Sequence, residues 1–157
     1  MKEFTISVPV TELSYDELNE SERELVETAR EATKRAYAPY SHFNVGAAIR
    51  LDNGVTVPGS NQENAAFPSG TCAERSACYY AHARYPEAKF EAIAVAAVGT
   101  DGRELDEPAS PCGACRQALM EYEHLAGHPV PVYMAGKDKV YRLPSVASLL
   151  PFVFEEF

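Results

Sequence analysis

Cys72-Ala73-Glu74-Arg75, answered downstream by Pro111-Cys112-Gly113-Ala114-Cys115-Arg116-Gln117, is the part of the chain from which architecture and chemistry can be read outward. Taken alone, Cys112-x-x-Cys115 is ambiguous, because that spacing serves zinc ribbons and thiol redox sites alike. Cys72 supplies a third thiolate. Three thiolates complete a tetrahedral zinc only when water or a substrate takes the fourth place, the arrangement of a catalytic zinc rather than a structural one. Glu74, two residues after one ligand, is then held beside the open place as a proton carrier.

Both motifs read as helix starts, where unsatisfied backbone N–H groups and the helix dipole stabilise anionic sulfur. Cys112 and Cys115, three apart, project to one side of their helix. Deep in a helix Cys72 and Glu74 would diverge, but at a first turn both can address a metal lying just beyond the end. Three thiolates overcompensate a divalent ion, so a nearby cation is expected. Arg75 is that cation, with a further supporting bond from Gln117. Cys78 falls outside the ligand spacing and reads as a small buried side chain. His42, His82, His124 and His128 form no ligand pattern with one another.

Outward from the motifs, strands and helices alternate. Residues 1–18 carry little pattern and are expected to form an extended arm. Ser21-Glu22-Arg23-Glu24 fits a capping box, and Leu25, Ala29, Ala32 and Ala36 recur at helical spacing until Pro39 stops the helix near Tyr37. Phe43 to Leu51 reads as a strand, Asp52-Asn53-Gly54 as a hairpin turn with positive φ, and Val55 to Ser60 as an edge strand because it contains Pro58. Asn61 to Thr71 is a polar loop that delivers Cys72 to a second helix ending near Tyr85-Pro86. Glu91 to Val98 is apolar throughout, as a strand buried on both faces is. A polar connection, Gly99 to Ser110, leads to a third helix from Cys112 to Leu125, closed by Gly127. Pro129 to Met134 and Val140 to Leu143 are further strands, and Ser145 to Leu150 a last helical turn. This order predicts a three-layer α/β/α domain with one mixed sheet, a single domain over residues 1–157 with residues 1–20 as its arm.

Composition narrows the function. A formal charge of −9 and the lack of a basic run argue against a nucleic-acid partner, since phosphate backbones are gripped by Lys and Arg; a small neutral ligand suits an acidic chain better. No basic segment followed by an apolar one opens the sequence, and no run approaches about 18 apolar residues, so neither export nor a membrane partner is expected. Four cysteines without an export signal point to reduced thiols in the cytoplasm.

These residues resemble the cytidine deaminase family, in the small form whose zinc ligands are all cysteines. The resemblance spans roughly Tyr37 to Phe154 and rests on five blocks in order: Tyr37 to Ala48, Gly59 to Asn64, Cys72 to Arg75, Pro111 to Gln117, and Leu149 to Phe154. It implies a five-stranded mixed sheet, a catalytic Zn2+ on Cys72, Cys112 and Cys115, and Glu74 as the proton carrier. It also implies a nucleoside substrate. Phe43 packs on the pyrimidine, Asn61 and Glu63 hold ribose hydroxyls, and Ala73 and Phe154 complete the contacts. A homotetramer is implied too, with the tail 149–157 at a subunit interface and Phe154 closing a neighbour's pocket. Phe67-Pro68-Ser69-Gly70 departs from the more apolar approach to Cys72 common in relatives. The rival readings are a deaminase of a related cytosine nucleoside or nucleoside antibiotic, and a non-catalytic zinc or thiol module that leaves Glu74, Asn61 and Glu63 without a task.

Overall fold

The structure is a computed structural model that describes residues 1–154; the end of the expected tail, 155–157, lies outside the described residues. Its elements are β1 (Thr11–Leu13), α1 (Glu20–Thr33), β2 (Asn44–Leu51), β3 (Thr56–Ser60), α2 (Ala73–Arg84), β4 (Phe90–Val98), α3 (Gly113–Ala126), β5 (Val132–Ala135) and β6 (Val140–Leu143). The strands form one sheet in the order β1-β6-β5-β4-β2-β3. β4 and β5 run parallel and every other pair is antiparallel, so the sheet is mixed. Pro58 lies on β3, an edge strand, where its missing N–H breaks no ladder.

The sheet has six strands, not the five that the resemblance implies. The extra one comes from the arm: Thr11, Glu12 and Leu13 pair with Arg142, Tyr141 and Val140 and so cover what would be an open edge of β6. The first helix also starts earlier than Ser21. Asn19 is its N-cap: the Asn19 side chain accepts from the Glu22 amide (2.9 Å) while Glu22 reaches back to the Asn19 amide (3.0 Å). Ser21 is thereby left inside the helix, where its hydroxyl accepts from Arg50. The helix ends at Thr33 rather than near Tyr37, because Tyr37 is taken by the polar loop; its amide donates to the Asn61 carbonyl (2.9 Å) and its carbonyl accepts from Glu63 (2.8 Å). In the hairpin only Gly54 adopts positive φ (83°).

The continuous apolar run of β4 conceals an alternation of size. Ala92, Ala94 and Ala96 face α1 together with Ala48 of β2, whereas Ile93 and Val95 face α2 and α3 together with Ile49 and Leu51. Leu25, Val26 and Ala29 of α1 fill the first layer and Ala77, Ala81 and Leu119 the second. Ile49, Leu51, Ile93 and Leu119 are fully buried, and each contributes about 1.5–3 kcal/mol by leaving water. α2 adds little large apolar surface and is held instead by close approach. A Cβ on Gly59 would fall 2.6 Å from the Ala77 nitrogen and 2.7 Å from the Ala73 carbonyl oxygen. Only glycine lets β3 touch the helix there, and that contact fixes the start of α2 against the sheet. Among the described residues no helix is long and apolar enough to cross a membrane.

Candidate metal centre and active site

Cys72 and Cys112 occupy the same structural position. Each is the N-cap of its helix, with extended backbone (ψ 157° and 163°), and neither sulfur caps a backbone amide. Both sulfurs are left for another partner. Cys115 lies one turn into α3 and is fully buried, Cys72 is half-buried and Cys112 is exposed. The Sγ atoms of Cys72 and Cys112 are 3.8 Å apart and those of Cys112 and Cys115 3.4 Å, and all three lie within 4.8 Å of one another. With Zn–S bonds of about 2.3 Å, the edge of a tetrahedral thiolate site is about 3.8 Å, so the cluster has the size zinc requires.

The proton balance of the cluster points the same way. The Cys72 thiol is pulled down to about 5, first by a hydrogen bond from Cys115 and then by Arg75 and Cys112, while the Cys115 thiol is pushed up because it holds the shared proton. Three sulfurs this close cannot all ionise against one another. A divalent cation among them replaces the proton and lets all three serve as ligands. Arg75 sits where the expected countercharge belongs, with Nη2 3.8 Å from Cys72 Sγ, and its guanidinium is held more firmly protonated by Cys72 and Cys115. Its Nε is buried without a hydrogen-bond partner among the described residues.

Glu74 is nearly inaccessible, at 3%. Burial raises its carboxyl above the usual range, and the negative charge at Cys72 adds to that. Cys78, further along α2, belongs to the core; its thiol donates to the Arg75 carbonyl (3.6 Å) and is pushed up to about 12 by burial. The cluster of Cys72, Cys112 and Cys115 includes none of the four histidines.

A cavity of about 550 Å³ opens beside the cluster, with Cys72 and Arg75 on one side and Asn61, Glu63, Tyr40 and Phe67 on the other. Asn61 is anchored by both ends of its amide, Oδ1 accepting from Val45 N (2.8 Å) and Nδ2 donating to the Phe43 carbonyl (2.9 Å). One N–H and one lone pair remain. Glu63 Oε2 accepts from the amides of Tyr40 (2.8 Å) and Ser41 (3.2 Å), and hydrogen bonds from Ser41 and Tyr40 hold the carboxyl below the usual range. His42, in the left-handed region at φ 55°, shapes the turn that presents these amides.

The remaining expected contacts lie elsewhere. Phe43 is half-buried next to Asn61 but does not line the cavity, and Ala73 is fully buried in the core cluster of α2. Gln117 makes its hydrogen bond away from the sulfurs: its Nε2 donates to the Phe154 carbonyl (2.7 Å), and Phe154 itself is 66% exposed. Two further polar side chains of α3 escaped the sequence reading. Arg116 binds the carbonyls of Pro111 and Leu149 and the Ser110 hydroxyl, and buried Glu123 accepts from Val130 N, Val146 N, Ala147 N and Ser145 Oγ. The available signal was a charged residue on the apolar stripe Leu119, Met120, Glu123, Ala126.

With this geometry in place, comparison with known proteins is informative. Residues 19–126 match the family profile described as the cytidine and deoxycytidylate deaminase zinc-binding region. A cytidine deaminase of Sporosarcina psychrophila is 38% identical over 132 residues, covering 84% of this chain and 90% of that protein. The crystal structure of a cytidine deaminase from Burkholderia pseudomallei superposes with a TM-score of 0.70 at 38% identity, over 87% of this chain and all of the other. One from Mycobacterium tuberculosis gives a TM-score of 0.64 at 31% identity, over 85% and 96%. Three converging cysteine sulfurs at two helix starts, a buried glutamate beside them and a likeness that spans most of both chains lead to one assignment: this chain belongs to the cytidine deaminase family.

Proposed function

We propose that the protein hydrolyses cytidine and deoxycytidine to uridine and deoxyuridine, with release of ammonia, using zinc held by Cys72, Cys112 and Cys115. The observation that carries this reading is the buried carboxyl of Glu74, two residues from Cys72, whose sulfur converges with two others and which lines a cavity of nucleoside size. Zinc, when bound, supplies a water whose pKa is lowered toward about 7. Glu74 takes one proton from the attacking water and hands it to N3 of the base, then takes the second from the hydroxyl formed at C4 and gives it to the departing amine as the C4 carbonyl forms. A carboxyl raised above its usual range by burial gives up and takes back a proton more evenly than an exposed one. Arg75 offsets the negative charge of the sulfurs. The family resemblance assigns Phe43 and Ala73 to the base, although neither lines the cavity of the single chain; Asn61 and Glu63, which do line it, hold the ribose hydroxyls with the hydrogen-bonding capacity their anchoring leaves over.

The substrate is a free nucleoside. Glu63 places a carboxylate at the sugar, the chain carries −9 overall, and like charges a few ångströms apart cost about 1 kcal/mol or more. The working form is a homotetramer that serves pyrimidine salvage in the cytoplasm, with Phe154 of one chain closing the pocket of another. The exposure of Phe152 (78%) and Phe154 (66%) supports a tail covered by a partner copy. Zinc-loaded protein is expected to convert cytidine to equimolar uridine and ammonia, with kcat/KM well above that for cytidine 5′-monophosphate. Absence of ammonia would overturn the reading, and equal efficiency on the monophosphate would overturn the nucleoside preference.

A further inference from the structure

Arg116, Gln117 and Glu123 of α3 each reach the C-terminal segment, mostly its backbone. At the root of the segment Glu123 accepts from the amides of Val146 (2.7 Å) and Ala147 (3.2 Å) and from the Ser145 hydroxyl (2.6 Å). Arg116, two helical turns nearer the cysteines on the same face, donates through Nη1 to the Leu149 carbonyl (3.1 Å). Gln117 takes the Phe154 carbonyl at the far end (2.7 Å). Residues 145–154 therefore run along α3 toward its cysteine-bearing end as a strap.

Arg116 does more than hold the strap. Its Nε donates to the Pro111 carbonyl (2.8 Å) and its Nη2 to the Ser110 hydroxyl (3.0 Å). One rigid guanidinium thus ties the loop that enters Cys112 to the strap at Leu149. Lysine, with a single nitrogen, cannot span all three acceptors. Fixing the loop at Cys112 pre-orients the guanidinium for Leu149, and a seated Leu149 pre-orients the loop in return.

We propose that Arg116 is a positioning residue that couples the Cys112 loop to the C-terminal strap, so that metal ligation and strap seating reinforce each other. The coupling holds whatever the substrate, and by linkage it acts equally in both directions.

The test uses the full chain, zinc-loaded and after removal of zinc with a chelator. Amide exchange is read at Ser148 and Leu150, whose N–H groups bond the carbonyls of Ser145 and Ala147, and zinc affinity is read by chelator competition. In the wild type, zinc is expected to slow exchange of these amides about tenfold, in line with a charge-assisted hydrogen bond. Arg116→Gln should still bind one zinc, but the slowing should fall below about twofold and zinc affinity should drop by the factor lost. Arg116→Lys should restore part of both, while Gln117→Leu, which frees only the far end, should leave zinc affinity unchanged. A purely structural Arg116 would instead loosen the strap equally with and without zinc, and that result overturns the proposal. So does a wild-type strap indifferent to zinc, or protection lost in step by the amides of α1 when zinc is removed. Should Arg116→Gln fail to fold, Ser110→Ala removes the Nη2 bond alone and should weaken the coupling; undiminished coupling in that variant overturns the proposal as well.

Discussion

The starts of α2 and α3 are built alike and used differently. Each opens on a cysteine N-cap whose sulfur turns away from its own helix and toward the same point. Past the cysteine the two diverge. α2 follows with Glu74 and Arg75, one buried against the cluster and the other facing the cavity and reaching a sulfur. α3 follows with Arg116 and Gln117, whose donors are taken by the chain itself. The polar groups of α2 are turned toward the sulfurs and the cavity, whereas those of α3 are turned toward loops and the tail. In this reading α2 carries the chemistry and α3 carries the frame.

The sharpest way to break that division is at Glu74. Glu74→Gln should retain zinc and lose activity by about 10⁴-fold or more, since general acid–base catalysis is worth about 10²–10⁴-fold for one transfer and this group serves several. Near-normal kcat would return Glu74 to a structural role. Next in size is metal content. Cys72→Ala, Cys112→Ala and Cys115→Ala should each lose most of the zinc by elemental analysis, and Cys78→Ala should keep it. Full zinc in the Cys72 variant would reduce the site to the α3 motif alone.

The opposite kind of effect is expected on α3. Glu123→Ala leaves the buried amides of Val130 and Val146 unpaired and should destabilise the fold by about 2–4 kcal/mol in denaturant titration, with the folded fraction still able to react. The smallest effect is a reactivity contrast within α2. A thiol at about 5 is thiolate at neutral pH, and one at about 12 is not. After zinc removal, alkylation at neutral pH followed by peptide mapping should therefore mark Cys72 and spare Cys78. Equal labelling would show that burial does not separate them.

Much of this was legible in the sequence because the signals are local. A Pro-Cys-x-x-Cys run, an Asn-Gly turn and an apolar strand each depend on neighbouring residues, and β6 emerged within its expected bounds, Val140–Leu143. Partners distant in sequence were not legible. β1 exists because β6 had an edge to cover, and three residues of a patternless arm give no sign of that. Asn19 outcompeted Ser21 as N-cap by one turn's geometry, although both have a glutamate three residues on. Gln117 was expected at the sulfurs because it is near them in sequence, yet its partner lies at Phe154. Arg116 and Glu123 escaped for the same reason: their acceptors and donors sit in loops and in the tail, and although the apolar stripe marks Glu123 as buried it does not name its partners.

The central claim is that three sulfurs leave one place at the metal open for chemistry. X-ray absorption at the zinc edge of the resting, zinc-loaded protein tests it most directly. The account predicts three sulfurs at about 2.3 Å and one oxygen at about 2.0–2.2 Å, with the oxygen signal lost or altered when a cytosine nucleoside analogue binds. Four sulfurs, or a fourth ligand that no analogue perturbs, would mean a closed structural zinc and would contradict it.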